Sequence, residues 1–235
     1  MKKGKKMVLF LVIFLIVSVS VVAMQNAVNV TSNTIEKSDD TVLIRLDIPK
    51  ISGMENKQSE SLINESFNKE AMELYKEIEK QAKEDYIQSK KQNLYFINYE
   101  LNYKYLIMYN KNGVLSIPID IYSYTGGAHG VTVRKSNNFD ITTGQRLFLK
   151  DLFKPEYDYK NTINGIIKTE ISKNKGNYFE GSFKGISETS DYYLTDNGIV
   201  VYFQLYEIAP YAAGMPEFLI PYSKIESELK YKLSK

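Results

Sequence analysis

The sequence predicts an α+β fold: antiparallel sheets with packed helices, set as two small consecutive domains after an N-terminal apolar segment. Three observations carry that expectation. Segments with strand-like alternation outnumber helical ones. Turn signals at Asn112-Gly113, Thr143-Gly144 and Asn197-Gly198 join neighbouring segments as hairpins. No regular strand–helix–strand alternation appears, so a parallel doubly wound sheet is not expected.

The chain opens with Lys2, Lys3, Lys5 and Lys6, then an unbroken apolar run at residues 7–17, then Ser18 to Ala23. This is the order of a secretory signal, with Val21 and Ala23 as the small residues before a cleavage site. Residues 7–24 are also near the lower limit of about 17–25 residues for a membrane span. A cleaved signal and an uncleaved anchor both remain open for residues 1–25. Either places residues 30–235 outside the cytoplasm, secreted or held at the membrane through residues 7–24.

Residues 26–40 are rich in Asn, Ser and Thr without an apolar period, and are expected to be a linker. The first domain is expected over residues 41–122 and the second over 123–235. Val42, Ile44, Leu46 and Ile48 alternate with polar residues as a half-buried strand, ended by Pro49. Ile63, Phe67, Ala71, Leu74, Ile78, Ala82 and Tyr86 recur at three and four residues, predicting an amphipathic helix over 59–90. Residues 94–110 read as a long strand with Tyr95, Ile97, Tyr99, Leu101, Tyr103 and Tyr105 on one face. That row is read as a core face in preference to a carbohydrate-stacking platform. Residues 114–123 return as its partner, and Pro118 marks an edge position or a bulge.

Residues 131–139 are again extended. Residues 161–173 predict a short helix carrying Ile163, Ile166, Ile167 and Ile171. A hairpin follows over residues 192–205, then a loop over 210–216 and a brief strand at 218–220 ended by Pro221. Residues 223–233 are expected as a terminal helix with Ser223 as its cap.

Composition excludes several function classes. The chain has no Cys, which removes thiol catalysis, disulfides, cysteine metal sites and a lipidated N-terminus. A single His, His129, removes any site with two histidine ligands. Without residues 1–23, the remaining 26 basic residues face 28 acidic ones, a net charge of −2. No nucleic-acid binding is expected from that balance. No EF-hand, nucleophile elbow or phosphate-binding fingerprint is present, and no cofactor or metal is expected.

Two segments stand apart from ordinary strand-and-turn sequence. The first runs Ser123-Tyr124-Thr125-Gly126-Gly127-Ala128-His129-Gly130, with Phe139-Asp140-Ile141-Thr142-Thr143-Gly144 and Asp151-Leu152-Phe153 after it. The second runs Val200-Val201-Tyr202-Phe203, then Tyr206-Glu207-Ile208-Ala209-Pro210-Tyr211-Ala212-Ala213-Gly214. Binding candidates are drawn from both: Tyr124, Gly126, Gly127, His129, Tyr206, Glu207, Pro210 and Tyr211. His129 has the titration range of a general acid or base. Its plainer role is a hydrogen bond across a turn whose glycines take backbone angles closed to other residues. Glu207 is read as a contact for a basic partner or, less favoured, a catalytic carboxylate, since a glycosidase needs a second facing carboxylate. Tyr206, Pro210 and Tyr211 form an apolar loop of the kind used at interfaces, or else a turn that plugs the core.

Together these segments, over about residues 38–225, resemble the tandem extracytoplasmic domains of RsiV-type anti-sigma factors, which sense lysozyme. They also resemble the N-terminal region of PdaC-type peptidoglycan deacetylases. The resemblance implies an α+β fold divided near residue 122. It also implies a sensing or binding role towards a protein such as lysozyme, or towards peptidoglycan. The chain departs from both patterns. Only six residues precede the apolar stretch, so no sigma-factor-holding segment is expected. One His cannot supply the Asp-His-His metal set of the deacetylases. The expected function is therefore a non-catalytic extracytoplasmic binding or sensing module. The alternatives are a peptidoglycan hydrolase using His129 with Glu207 or Asp140, and a structural envelope protein.

Overall fold

The computed structural model describes residues 27–234, and the signal or anchor expected at 1–25 lies outside them. The architecture is α+β. A five-stranded sheet runs in the order β1 (Asn29–Ser38), β2 (Val42–Ser52), β3 (Tyr99–Tyr105), β6 (Ile119–Tyr124) and β7 (Val131–Lys135). Neighbours pair antiparallel except β2 and β3, which are parallel. That parallel step requires a crossover, and α1 (Lys57–Lys91) supplies it. Two small sheets follow. One joins β4 (Tyr109–Lys111), β5 (Val114–Ser116) and β8 (Asn138–Asp140). The other joins β11 (Glu217–Pro221), β10 (Gly198–Tyr202) and β9 (Tyr192–Leu194), with α2 (Tyr159–Lys173) packed against it.

α1 is 35 residues long, about 50 Å at 1.5 Å per residue. Asn56 caps it by accepting a hydrogen bond from the Ser59 amide at 3.0 Å. Ile63, Phe67, Ala71, Ile78 and Ala82 are buried against the sheet. Phe67 meets Phe139 edge-on at 6.0 Å, and its truncation to Ala would cost about 3–5 kcal/mol. Tyr99 and Tyr103 reach from β3 to Asp85 at 2.7 Å and Glu70 at 3.0 Å, pinning the helix at two points.

Several expectations need correction. Residues 26–40 are not a linker through most of their length: β1 pairs with β2 along all ten of its residues. The strand lacks an apolar period because it is a sheet edge, with only Val30 and Ile35 packed on the core. The long strand expected over 94–110 starts at Tyr99. Asn93 takes φ +54° and the Leu94 amide bonds Ser89, closing the helix end first. Tyr99, Leu101 and Tyr103 form the expected core face, while Tyr95 and Ile97 are exposed. Pro118 divides the return strand into β5 and β6, which enter different sheets.

The terminal helix is replaced by two 3-10 turns, Tyr222–Lys224 and Glu226–Glu228. The reason is competition for backbone groups: Lys154 N–H bonds Glu228 and Lys230 N–H bonds Leu152. The boundary expected between residues 122 and 123 falls inside β6. The hydrophobic clusters divide later. One holds the long helix and the five-stranded sheet, up to Ile141. A second holds Leu147, Leu149, Ile163, Ile167, Val201 and Phe218, and also claims Tyr109 and Val114 from β4 and β5, and a small third joins Tyr193, Val200 and Tyr202. The Gly-rich turn therefore belongs to the first unit, between β6 and β7.

Candidate functional site

The Gly-rich turn and the loop after β10 meet at the surface. Gly126 and Gly127 take φ +98° and +95°, which bend the chain sharply after Tyr124. Tyr124 braces the bend by donating its hydroxyl to the Gly127 carbonyl at 2.9 Å. At Gly130 any Cβ would lie 2.4 Å from the Tyr122 ring, so a side chain there would displace it. His129 is thereby held out on an exposed tip.

The opposing loop is fixed by side chains. The Glu207 amide bonds the Gln204 carbonyl at 3.1 Å, and the Glu207 carboxylate accepts the Gln204 amide at 2.8 Å. Between them Tyr206 takes φ +65°, a left-handed conformation that costs a non-glycine residue roughly 1 kcal/mol or more. Pro210 then leads into a 3-10 turn at Tyr211–Ala213, closed by Gly214 at φ +72°.

The three rings converge. His129 stacks on Tyr211 with centroids 4.1 Å apart, and Tyr206 lies 5.6 Å from Tyr211. The Gly130 carbonyl accepts from Tyr211 Oη at 3.1 Å and faces His129 Nδ1 at 2.9 Å. With Nδ1 as donor, Nε2 is the acceptor for the Tyr206 hydroxyl at 3.3 Å. Tyr206 is 51% exposed and Tyr211 36% exposed, so this is a surface platform.

Tyr124, Gly126, Gly127, His129, Tyr206, Pro210 and Tyr211 thus contribute to one feature, with Glu207 as its turn clamp. No hydrogen bond joins His129 to Glu207 or Asp140 among the described residues. Asp140 accepts from the Thr142 and Thr143 amides at 2.9 and 3.1 Å and from Tyr231. The carboxylate partners of the hydrolase reading are therefore engaged elsewhere. Among the described residues, no group of three or more His, Asp or Glu is placed to hold a metal ion.

Beneath the platform lies a cluster that sequence reading missed. Arg134 of β7 binds Asp120 through two bonds, at 2.6 and 2.8 Å, and Glu217 of β11 at 2.5 Å. These carboxylates, Asp120 first, hold its guanidinium above the usual arginine range. Its guanidinium also lies over Tyr193 and Tyr202, 5.8 and 5.6 Å from the ring centres. Gln204 donates to the Arg134 carbonyl at 2.7 Å and accepts its amide at 3.1 Å. One side-chain amide so covers the free edge of β7 and anchors the Tyr206 turn. Only the period-two alternation of residues 131–135 hinted at a shared face, and nothing there named a partner.

Two family models match the chain. One, described as deacetylase PdaC, matches residues 35–132, and one for a protein of unknown function, DUF3298, matches residues 150–223. The anti-sigma-V factor RsiV of Bacillus subtilis is 31% identical over 216 residues, 85% of this chain and 70% of its own. The peptidoglycan-N-acetylmuramic acid deacetylase PdaC of the same organism is 31% identical over 137 residues. That match takes in 56% of this chain but 29% of the deacetylase. A DUF3298 family crystal structure from Bacteroides fragilis superposes with TM-score 0.70 at 21% identity, covering 87% of this chain and 95% of its own. At that identity it establishes the fold.

Proposed function

The chain belongs to the RsiV family, and from that premise we propose that it is an extracytoplasmic, non-catalytic binding module whose contact surface is the His129–Tyr206–Tyr211 platform. The partner is a protein, with a lysozyme-type enzyme first among the classes to test. The observation that supports this most directly is the exposed stack of His129 on Tyr211 beside Tyr206. Rigid aromatic side chains are favoured at interface centres because they present large area for little lost entropy. Two loops from different units supply them, so a partner that covers the platform touches both units. Charge adds little: a net of −2 is only weakly complementary to a basic enzyme.

The test is a calorimetric titration of the fragment 24–235 with a c-type lysozyme and, separately, with purified peptidoglycan. Saturable binding to lysozyme, weakened by Tyr211→Ala, is the expected result. Binding to peptidoglycan alone would replace the protein partner with a wall glycan, the polymer named in the deacetylase relative. Silence with both would remove the proposal.

A further inference from the structure

A second surface uses none of the platform side chains. The C-terminal half of α2 and the segment that follows line an open cleft of about 490 Å³, beside a smaller one of about 210 Å³. Their walls share Ile171, Lys175, Tyr178, Phe179 and Gly181. The size falls in the range of small-molecule sites, about 300–1,000 Å³. The floor is firm. Tyr178 stacks on the core ring of Phe218 at 6.0 Å, and Phe183 meets Phe203 edge-on at 5.7 Å. The Phe179 amide bonds the Ile208 carbonyl at 2.9 Å, and Ser182 bonds the same carbonyl at 3.2 Å. Phe179 nevertheless stands 46% exposed.

The rim carries charge without partners. Lys168 and Lys175 line the cavity, and neither makes an ion pair or a cation–π contact among the described residues. Their neighbour Lys173 does, with Glu170 at 2.6 Å. Glu180 is the acidic group on the wall, so the two lysines outnumber it. Aromatic walls exclude water from a hydrocarbon body, while lysines at the mouth offer long, flexible donors to a carboxylate or phosphate.

We propose that this cleft binds a single-chain anionic amphiphile, its chain against Ile171, Tyr178 and Phe179 and its head group between Lys168 and Lys175. Such a ligand could come from a free fatty acid or from a membrane lipid, and the experiment separates the two. The chain has no Trp, so Phe179→Trp installs the one Trp in the cleft, excited at a wavelength the tyrosines do not absorb. It is made in the fragment 24–235, which carries all three hydrophobic clusters and every described element. The fragment is titrated with dodecanoate below its micelle concentration, with dodecyltrimethylammonium, and with vesicles of phosphatidylglycerol or phosphatidylcholine. The expected result is a saturable blue shift with dodecanoate and little response to the cationic amphiphile. Adding Lys168→Ala and Lys175→Ala should weaken dodecanoate about tenfold or more, while Lys80→Ala on α1 should not. Response to phosphatidylglycerol vesicles without response to dodecanoate would assign the head group to a lipid surface. Two results overturn the proposal: no saturable response to either anionic probe, or equal response to the cationic one. Calorimetry on the unsubstituted fragment guards against an effect of the Trp itself.

Discussion

Two of the places where the units of this molecule meet are built on different chemistry. At the Arg134 junction the contacts are directional and largely half-buried: a guanidinium between Asp120 and Glu217, an amide pairing with β7, and Tyr202 bonded to Ser136 at 2.9 Å. At the platform they are ring stacks in the open, with Tyr211 donating to the Gly130 carbonyl and the Tyr206 hydroxyl to His129 Nε2. The first arrangement ties the units together by directional bonds. The second leaves apolar faces uncovered, which a junction serving stability alone would bury. The contrast is the one expected between a scaffold and the proposed contact surface, and it can be tested at each end.

The largest effect is expected at the junction. Arg134→Ala leaves Asp120 and Glu217 without their cation, and should lower unfolding free energy by about 3 kcal/mol in urea titrations. A loss below about 1 kcal/mol would mean that the units are held elsewhere. Next is the platform. Tyr211→Ala should leave stability within about 1 kcal/mol of the parent, yet weaken the bound partner by about 2 kcal/mol, or roughly thirtyfold. A matching loss of stability would make Tyr211 a structural residue and erase the contrast.

An intermediate effect concerns alkaline pH. Burial, with Glu217 beside it, pushes the Tyr193 phenol up to about 12, and burial with Asp85 does the same for Tyr99. In the unfolded chain a tyrosine loses its proton near pH 10. The folded state therefore binds more protons between those values. Stability should be full below about pH 10 and fall as pH rises towards 12. Tyr193→Phe should make that fall shallower in denaturation curves recorded across the window, and an unchanged slope would exclude Tyr193 as a cause. The smallest effect is expected for Glu207→Gln. It weakens one cap on the Gln204 amide and should cost about 1 kcal/mol or less. Partner binding should survive in the same titration, whereas abolition would give the carboxylate a direct contact.

Local patterns in the sequence foretold the elements whose cause is local. α1 follows from the spacing of Ile63, Phe67, Ala71, Ile78 and Ala82, and the β9–β10 hairpin from Asn197-Gly198. The platform loops were visible for the same reason, because glycines at φ above zero and Pro210 mark unusual backbone. Their meeting was not visible, since His129 and Tyr206 lie 77 residues apart. The Arg134–Gln204 pairing, 70 residues apart, is hidden in the same way. β1 was missed because an edge strand draws its cohesion from backbone pairing, which leaves little trace in side-chain hydropathy.

That edge strand has a mechanical consequence. One row of the sheet runs Ser38–Leu43–Glu100–Tyr124, so the turn bearing His129 lies at the Ser38 end of β1. The chain enters the fold at the other end, at Asn29, about 30 Å away along the strand. A pull between an upstream attachment and a captured partner would run along β1. It would load the strand in shear against β2, with all ten residue pairs resisting together instead of parting one at a time. The sheet edge that looked like a loose tether is the part of the fold best placed to carry tension.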